Sequence, residues 1–260
     1  MIGKGSIMNE DKVEMLADLI RDSQNIVVFT GAGVSTESGV PDFRSPGGIW
    51  DRFDPNEMTF QKFVSSRQSR RKYWELFHVC WKEFQGIEPN QAHRAIAELE
   101  KRGKLSAVIT QNVEELHQKA GNSAKKVLEL HGTIWQVRCL DCQAPYPWEE
   151  IFNLLEEGEE INNCSQCGGL LKPATIAFGQ QLPVHTLEEA QKRSCSCDLF
   201  ISIGSSLVVY PAAFLPQMAK ESGASLAIVN REPTPFDAIA DLVIHARAGE
   251  SMKTAVELAR

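Results

Sequence analysis

The sequence predicts an α/β protein built on a parallel β-sheet with helices on both faces. Short apolar runs rich in β-branched residues recur along the 260-residue chain and alternate with segments of helical periodicity. A glycine-rich turn, Gly31–Gly33, directly follows the first of these runs, as is typical of a strand that leads into a ligand-binding loop. Two Cys-x-x-Cys pairs interrupt the alternation and indicate an inserted zinc ribbon. These patterns predict a doubly wound, Rossmann-like sheet with a smaller lobe formed by a helical insert and the zinc ribbon.

The predicted strands are the short apolar runs that end at glycine or at a polar residue. They span residues 25–30, 105–110, 127–130, 197–204, 224–230 and 241–245. Apolar side chains at helical spacing predict helices over residues 10–22, 88–100 and 251–260. We assign residues 1–45, 88–138 and 172–260 to the larger domain, and residues 46–87 and 139–171 to the smaller lobe.

Composition places the chain among globular proteins and narrows the classes of partner. The net charge is −7 at pH 7, which disfavours nucleic acid as a partner and suits the attraction of cationic peptides. No apolar run is long enough to cross a bilayer, and residues 1–9 lack the apolar region of a signal peptide. Seven cysteines, four of them in two pairs, fit a reducing compartment better than a disulfide scaffold. We therefore expect a cytoplasmic protein without membrane or nucleic-acid partners, and we take it to be a monomer.

The turn at Gly31–Gly33 is suited to binding the phosphates of a dinucleotide. Glycine lacks Cβ, so its backbone N–H groups can approach a pyrophosphate, and the free N–H groups of a following helix start would face the same anion. Thr36 stands at the third glycine position of the usual fingerprint, so an ordinary glycine turn after a core strand is the alternative. Residues 41–44, Pro-Asp-Phe-Arg, add an anion, an aromatic ring and a guanidinium on a loop that can fold over a ligand.

Polar side chains follow later strands, at the edge where parallel sheets bind ligands. Gln111 and Asn112 come directly after the strand 105–110, and amides that both donate and accept suit ribose hydroxyls and an ordered water. A capped helix start is the structural alternative for both residues. Residues 204–206, Gly-Ser-Ser, provide a close-approach turn and two hydroxyls, and Asn230 ends the next strand where an adenosine ribose would lie.

The four paired cysteines are Cys139, Cys142, Cys164 and Cys167, with 21 residues between the two pairs. Two thiolate pairs on tight turns fill the tetrahedral shell of one zinc ion and leave no position for water, so the site should be structural. Such a ribbon can also serve as an adaptor for nucleic acid or protein. Glu149, Glu150 and residues 156–160 make this insert acidic, which counts against nucleic acid.

Aromatic side chains and histidines mark three further positions. Tyr73, Phe77 and Trp81 repeat at intervals of four, which is typical of a helix packed in a core, with the lining of a substrate groove as the alternative. His93 lies at the start of the next helix, where a capping or structural role is expected. His131 follows the strand 127–130; a lone histidine is more often structural, although imidazole is the one side chain that titrates near neutrality unaided.

These segments together resemble the signature motifs of the sirtuins, the NAD-dependent protein-lysine deacylases. The run 31–44 resembles the glycine-rich sirtuin motif, Thr110–His117 resembles Thr-Gln-Asn-Ile-Asp-x-Leu-His, and Leu130–Gly132 matches the position of the sirtuin general base. The segment 172–183 resembles the stretch that pairs with the peptide substrate and lines the acyl-lysine tunnel. Six such motifs occur in family order between about residue 13 and the C-terminus.

The resemblance implies an NAD-dependent deacylase with NAD as co-substrate, one structural zinc, and acyl-lysine proteins or peptides as substrates. The acyl oxygen of the modified lysine would attack C1′ of the nicotinamide ribose, nicotinamide would leave, and His131 would remove a ribose proton so that the imidate intermediate collapses. The products would be free lysine, nicotinamide and an O-acyl-ADP-ribose. The alternatives are a sirtuin fold that hydrolyses lipoyl-lysine or transfers ADP-ribose, and a non-catalytic NAD-sensing zinc adaptor in which His131 is structural.

The resemblance also assigns individual residues. It makes His131 and Asn112 catalytic, and Phe43 would cover the reactive ribose face against water. The substrate-binding residues that it implies are Ile176, Phe178, Gly179 and Val208. The NAD-binding residues that it implies are Gly31, Ala32, Gly33, Ser35, Thr36, Asp42, Phe43, Arg44, Gln111, Asn112, Val113, Glu114, His131, Gly204, Ser205, Ser206, Asn230 and Ala248.

Three departures from the sirtuin pattern bear on specificity. Glu114 stands where relatives have the aspartate that accepts a hydrogen bond from the nicotinamide carboxamide, so we expect weak nicotinamide inhibition that Glu114→Asp would strengthen. The alternative is a pocket rebuilt around glutamate, in which the same substitution would lower activity. Gln180 replaces an acidic residue, which should weaken the selection of basic peptides. Leu76 follows Tyr73 at the spacing where sirtuins that remove acidic acyl groups carry arginine, so we expect neutral acyl groups to be preferred.

Overall fold

Two sheets organise the fold, which we describe from a computed structural model over residues 9–43, 45–161 and 163–260. The described residues form nine strands: β1 (Ile26–Thr30), β2 (Leu105–Thr110), β3 (Val127–Glu129), β4 (Gly132–Cys139), β5 (Pro145–Pro147), β6 (Leu171–Thr175), β7 (Leu199–Ile203), β8 (Ser225–Val229) and β9 (Leu242–Ile244). Six of them form one parallel sheet in the order β3-β2-β1-β7-β8-β9, which confirms the predicted doubly wound sheet. The strand order reverses beside β1, and open sheets bind ligands at that point, beyond the carboxyl ends of the strands.

Ten α-helices connect these strands within the same described ranges. They are α1 (Asn9–Asp22), α2 (Ile49–Arg52), α3 (Phe60–Ser65), α4 (Arg67–Phe84), α5 (Gln91–Lys101), α6 (Leu116–Ala120), α7 (Trp148–Glu156), α8 (Val184–Ser196), α9 (Leu215–Glu221) and α10 (Ala248–Leu258). No helix in the described part of the chain is long and apolar enough to cross a membrane.

The parallel sheet is buried on both faces, which explains why its strands are continuous apolar runs. Every residue of β1 is buried, and successive side chains point to opposite faces. Ile26 and Val28 pack with α1, α5 and α10, whereas Val27 and Phe29 pack with α8 and α9. We call this sheet and these five helices the large lobe.

The second sheet is antiparallel, in the order β5-β4-β6, and carries the paired cysteines at one end. Gly132 begins β4 with φ 73°, and a Cβ there would lie 2.0 Å from the carbonyl oxygen of Ala174, so no other residue fits. We call this sheet together with α2, α3, α4 and α7 the small lobe. The predicted domain bounds placed residues 132–138 and 172–175 in the larger domain, whereas their strands pair within the smaller sheet.

The aromatic stripe of α4 is the core of the small lobe. Tyr73, Phe77 and Trp81 are buried, and the Trp81 indole donates to the carbonyl oxygen of Ile134 at 2.7 Å. Helix α5 begins with a reciprocal cap, since Asn90 accepts from Ala92 N–H at 2.9 Å and His93 Nδ1 accepts from Asn90 N–H at 3.3 Å. The predictions of a packing role for the stripe and a capping role for His93 are therefore confirmed.

Candidate active site

A cleft of about 1360 Å³ opens where the carboxyl ends of the parallel strands face the small lobe. Its floor includes Gly31 after β1, Asn112 after β2 and Gly204 after β7. Its other wall comes from α2, α4 and the segment 175–182. Pockets for one small ligand are typically about 300–1,000 Å³, so this cleft has room for an extended dinucleotide together with part of a second substrate.

The glycine turn differs in detail from the sequence prediction. Gly31 N–H donates to the carbonyl oxygen of Ile203 at 3.1 Å, and Gly33 N–H donates to that of Gly204 at 2.8 Å. These two N–H groups are therefore occupied by the β7 turn and are not free for a pyrophosphate. A Cβ on Gly33 would lie 2.8 Å from Gly204, so glycine is required here for close packing of the two turns. The chain continues in 3-10 turns over residues 32–34 and 36–38, and not in the predicted helix start.

Asn112 is held by its amide nitrogen. Nδ2 donates to the carbonyl oxygen of Gly31 at 3.2 Å, to Ser35 Oγ at 3.1 Å and to Glu114 Oε1 at 3.1 Å. These acceptors fix the orientation of the amide, which leaves the Asn112 oxygen for a donor in the cleft. The neighbouring Gln111 amide donates to Ser205 Oγ at 2.9 Å and links the loops that follow β2 and β7.

His131 has the hydrogen bonding of a proton acceptor. Its Nδ1 lies 3.0 Å from the Gln111 carbonyl oxygen, which only accepts, so Nδ1 carries the proton and Nε2 holds the free lone pair. Burial lowers the pKa of His131, with partial compensation from that hydrogen bond, so the ring is neutral at pH 7. Of the six histidines, all within the described ranges, His131 alone lines the cleft.

The small-lobe wall of the cleft is apolar. Met58, Tyr73, Leu76 and Phe77 line it from one side, so the α4 stripe serves both as core and as groove lining. At the mouth, the Trp50 ring lies 5.2 Å from that of Phe43 and 5.9 Å from that of Phe178. Trp50 was not predicted as a site residue; its place in a Pro- and Gly-rich loop after Phe43 was the available signal.

Lys172 is a second residue that sequence reasoning missed. It is 1% exposed, and its ammonium donates to the carbonyl oxygens of Pro173 at 3.1 Å and Thr175 at 2.5 Å, 5.1 Å from the centroid of the Tyr73 ring. Burial lowers the pKa of Lys172 to about 7. An amine that titrates near neutrality thus lies directly behind two residues that line the apolar wall, Tyr73 and Thr175.

The four paired cysteines come together as predicted, with all four Sγ atoms within 4.8 Å of one another. The Cys139–Cys167 and Cys142–Cys164 sulfur atoms lie 3.5 and 3.6 Å apart. Tetrahedral zinc with Zn–S bonds of about 2.3 Å requires sulfur separations of about 3.8 Å, so the cluster fits one zinc ion. Because all four positions are thiols, the site is closed and structural.

Most of the predicted ligand-binding residues line the cleft. Those that do are Gly31, Ala32, Gly33, Thr36, Asp42, Phe43, Gln111, Asn112, Val113, His131, Ile176, Phe178, Gly179, Gly204, Ser205, Ser206, Asn230 and Ala248. Ser35, Glu114 and Val208 do not line it: Ser35 and Glu114 are buried behind the floor, and Val208 is 47% exposed. Arg44 lies outside the described residues. Four charged residues at the β8 and β9 end of the cleft were not predicted, namely Glu37, Arg231, Glu232 and Arg247.

A doubly wound sheet, a dinucleotide-sized cleft with one histidine, and a closed cysteine site define a two-lobed, nucleotide-binding α/β protein with a structural zinc ribbon. A sequence model of the Sir2 family matches residues 31–211. The chain belongs to the Sir2 family.

Relatives and solved structures agree with this assignment. An NAD-dependent protein deacetylase of Thermodesulfovibrio yellowstonii is 43% identical over 252 residues, 97% of each chain. NAD-dependent protein deacylase 2 of Archaeoglobus fulgidus is 46% identical over 249 residues, 95% of this chain and 96% of that protein. A Sir2 enzyme structure superposes with a TM-score of 0.86 at 45% identity, covering 96% of this chain and 98% of that one. A Sir2 complex with a deacetylated p53 peptide and 3′-O-acetyl ADP-ribose has a TM-score of 0.84 at 39% identity, covering 94% and 97%.

Proposed function

We propose that this chain is an NAD-dependent protein-lysine deacylase that holds NAD and an acyl-lysine peptide in the cleft between its lobes. The curated relatives are named for this activity, and the similarity extends over nearly the whole of each chain. The observation that carries the proposal is the state of His131, which is a neutral imidazole with Nδ1 bound to the Gln111 carbonyl and Nε2 left for the cleft.

Bound NAD supplies an electrophilic carbon, C1′ of its nicotinamide ribose, and the acyl oxygen of the substrate lysine is the nucleophile. Within this chain, the turns after β1 and β7 lie where open sheets bind a pyrophosphate. Asn230 and Ala248 line the end of the cleft beyond β8 and would hold the adenosine half. The Asn112 oxygen would accept from a ribose hydroxyl or from an ordered water.

His131 acts as the general base. A neutral imidazole accepts a proton at Nε2, and the Gln111 carbonyl stabilises the resulting positive charge through Nδ1–H. The ring needs no further partner to hold its tautomer. Phe43, 42% exposed beside Trp50, is placed to cover the reacting ribose against water.

The apolar wall takes the acyl group. An acetyl or longer neutral acyl group buries its methyl or methylene groups against Leu76 and Phe77, whereas a carboxylate would lose its hydration there. The backbone of residues 176–179 would pair with the substrate peptide. Zinc held by the four cysteines supports the small lobe and takes no part in the chemistry.

We further infer that the protein works in the cytoplasm as a monomer without nucleic-acid partners. The net charge of −7 supports the absence of nucleic-acid partners, and seven cysteines without a disulfide support the cytoplasm.

The test is a panel of acetyl-, longer acyl-, lipoyl- and succinyl-lysine peptides incubated with NAD. Deacylated peptide, nicotinamide and O-acyl-ADP-ribose should appear together in equal amounts, as measured by mass spectrometry. Transfer of ADP-ribose to the peptide, or nicotinamide release without loss of the acyl group, would overturn the proposal.

A further inference from the structure

The carboxylate of Glu114 is buried behind the cleft floor and collects three hydrogen bonds. Ser35 Oγ donates to Oε1 at 2.5 Å, Asn112 Nδ2 donates to Oε1 at 3.1 Å, and Val113 N–H donates to Oε2 at 3.0 Å. The residue is 5% exposed and does not line the cleft. Burial raises the pKa of Glu114, and the three hydrogen bonds oppose that shift because they favour the ionised carboxylate, which only accepts.

Glu114 and its neighbours decide which way the Asn112 amide points. A flipped amide would bring the Asn112 oxygen against the Glu114 carboxylate and the Gly31 carbonyl, both of which are acceptors. In the observed orientation, the amide nitrogen donates to these buried acceptors, and the amide oxygen is left for a donor in the cleft. Two loops that are distant in the sequence are thereby joined through one side chain.

His93 fixes the direction of the same network from the other end. Its Nδ1 accepts from Asn90 N–H, so the ring proton is on Nε2, which lies 3.4 Å from Ser35 Oγ. Ser35 therefore accepts from both His93 and Asn112 and has one proton to donate, which goes to Glu114. The Ser35 hydroxyl and the Asn112 amide therefore both donate to the Glu114 carboxylate.

We propose that Glu114 is a positioning residue that sets the orientation of the Asn112 amide, and that it does not contact the nicotinamide carboxamide. The proposal rests on the deacylase function proposed above and adds a role for one side chain in the same site. It replaces the expectation that Glu114 is an NAD-binding residue whose length weakens nicotinamide inhibition.

The length of the side chain is essential to this role. Aspartate is shorter by one methylene, about 1.5 Å, so its carboxylate would withdraw from Ser35 and Asn112 beyond hydrogen-bond distance. Glu114→Asp therefore keeps the charge and loses the network. Glu114→Gln keeps the length, but its amide group would bring N–H donors to face Val113 N–H or the Ser35 and Asn112 donors.

The kinetic test compares Glu114→Asp, Glu114→Gln, Asn112→Ala and the double variant Glu114→Asp/Asn112→Ala. We expect Glu114→Asp and Glu114→Gln to lower kcat on the order of tenfold or more, with the nicotinamide inhibition constant and the KM for NAD within about twofold of wild type. The double variant should be no slower than Asn112→Ala, because both changes remove one interaction. Glu115→Asp shortens the adjacent carboxylate equally and should leave kcat within about threefold.

Either of two kinetic results would overturn the proposal: a nicotinamide inhibition constant that changes about tenfold in Glu114→Asp at unchanged kcat, or losses that multiply in the double variant.

A second measurement separates this proposal from the proposed function. In substrate-free protein, the Asn112 side-chain amide protons should exchange slowly with solvent by NMR, and the exchange should become fast in Glu114→Asp but not in Glu115→Asp. Slow exchange that persists in Glu114→Asp would refute the positioning role even if the enzyme is an active deacylase. If amide exchange becomes fast in Glu114→Asp but the wild-type protein has no deacylase activity, the positioning role stands and only the proposed deacylase function is refuted.

Discussion

The two walls of the cleft are built by opposite means. The large-lobe floor is polar and hydrogen-bonded, with Asn112, Ser35 and Glu114 bound to one another and His131 held by a backbone carbonyl. The small-lobe wall is apolar and aromatic, from Tyr73 to Phe178. Catalysis requires fixed donors and acceptors, whereas an acyl chain requires shape and a dry surface. In the function proposed above, the floor therefore serves the reaction and the wall serves the choice of acyl group.

The two lobes also differ in what holds them together. The large lobe buries a six-stranded sheet between two layers of helices, so apolar burial alone can stabilise it. The small lobe has three short strands and a cluster of aromatic rings, and its ribbon is closed by four thiols. A small unit of this kind depends on its metal for stability.

The largest effect is expected at the zinc site. Cys164→Ser should lose the metal and lower the free energy of unfolding by several kcal/mol, since structural zinc contributes about 10–16 kcal/mol to the folding of isolated zinc fingers at pH 7. Metal analysis should return about one zinc per wild-type chain and far less for the variant. Cys195→Ser, at an exposed thiol away from the site, is the control and should keep both zinc and stability. A metal-free Cys164→Ser protein with full activity would contradict the assignment.

His131→Ala comes next. Loss of the general base should lower deacylation on the order of a hundredfold or more, while the Kd for NAD stays within a few-fold, because no part of the ring anchors the phosphates. Single-turnover kinetics and calorimetric titration with NAD measure the two quantities. His185→Ala, on the exposed face of α8, serves as the matched histidine control. Wild-type turnover in His131→Ala would return the residue to a structural role.

The pH dependence of kcat/KM should report the same group. Burial lowers the pKa of His131 from its usual value of 6.5. The imidazole is therefore neutral at pH values above this lowered pKa and protonated at pH values below it. As the pH increases, kcat/KM should therefore rise with a midpoint below 6.5 and then stay constant around pH 7. A midpoint above 7 would show that another group limits the reaction.

Stability should depend on pH through Lys172. Its folded pKa of about 7 lies below the unfolded value near 10.4, so the unfolded chain binds the extra proton between these pH values. The free energy of unfolding should rise with pH from 7 to 9 in wild type, and this rise should be smaller in Lys172→Met. Urea midpoints at the two pH values for both proteins give the difference. Identical slopes would show that Lys172 is not buried as a neutral amine.

The smallest effect concerns the choice of acyl group. Wild type should remove acetyl and longer neutral groups faster than succinyl groups, and Leu76→Arg should shift the ratio of kcat/KM towards succinyl by about tenfold, because a cation pairs with the buried carboxylate. Leu76→Met, which keeps an apolar side chain, is the control. Faster desuccinylation than deacetylation by wild type would contradict the role given to the apolar wall.

Sequence pattern alone was enough for the strands of the main sheet, the cysteine cluster and the capping role of His93, whereas His131 was assigned to the site only through the family resemblance. These features depend on local periodicity, on motif spacing and on where a strand ends, and all three can be recognised in short segments of the sequence. The pairing of β4 with β6 across the zinc insert joins distant segments, and the sequence pattern did not indicate it.

Other features depended on contacts between distant segments. The N–H groups of Gly31 and Gly33 donate to carbonyl oxygens at the end of β7, more than 160 residues away. No local motif indicates these hydrogen bonds. Glu114 looks like a ligand-binding carboxylate in its motif, yet in the fold it meets Ser35 and is buried. A lysine is usually found on the surface, yet Lys172 is 1% exposed, because its position in β6 places its side chain against Tyr73 of α4. Hydrogen-bond partners and burial are properties of packing in three dimensions, so these roles were decided only when segments distant in the sequence packed together.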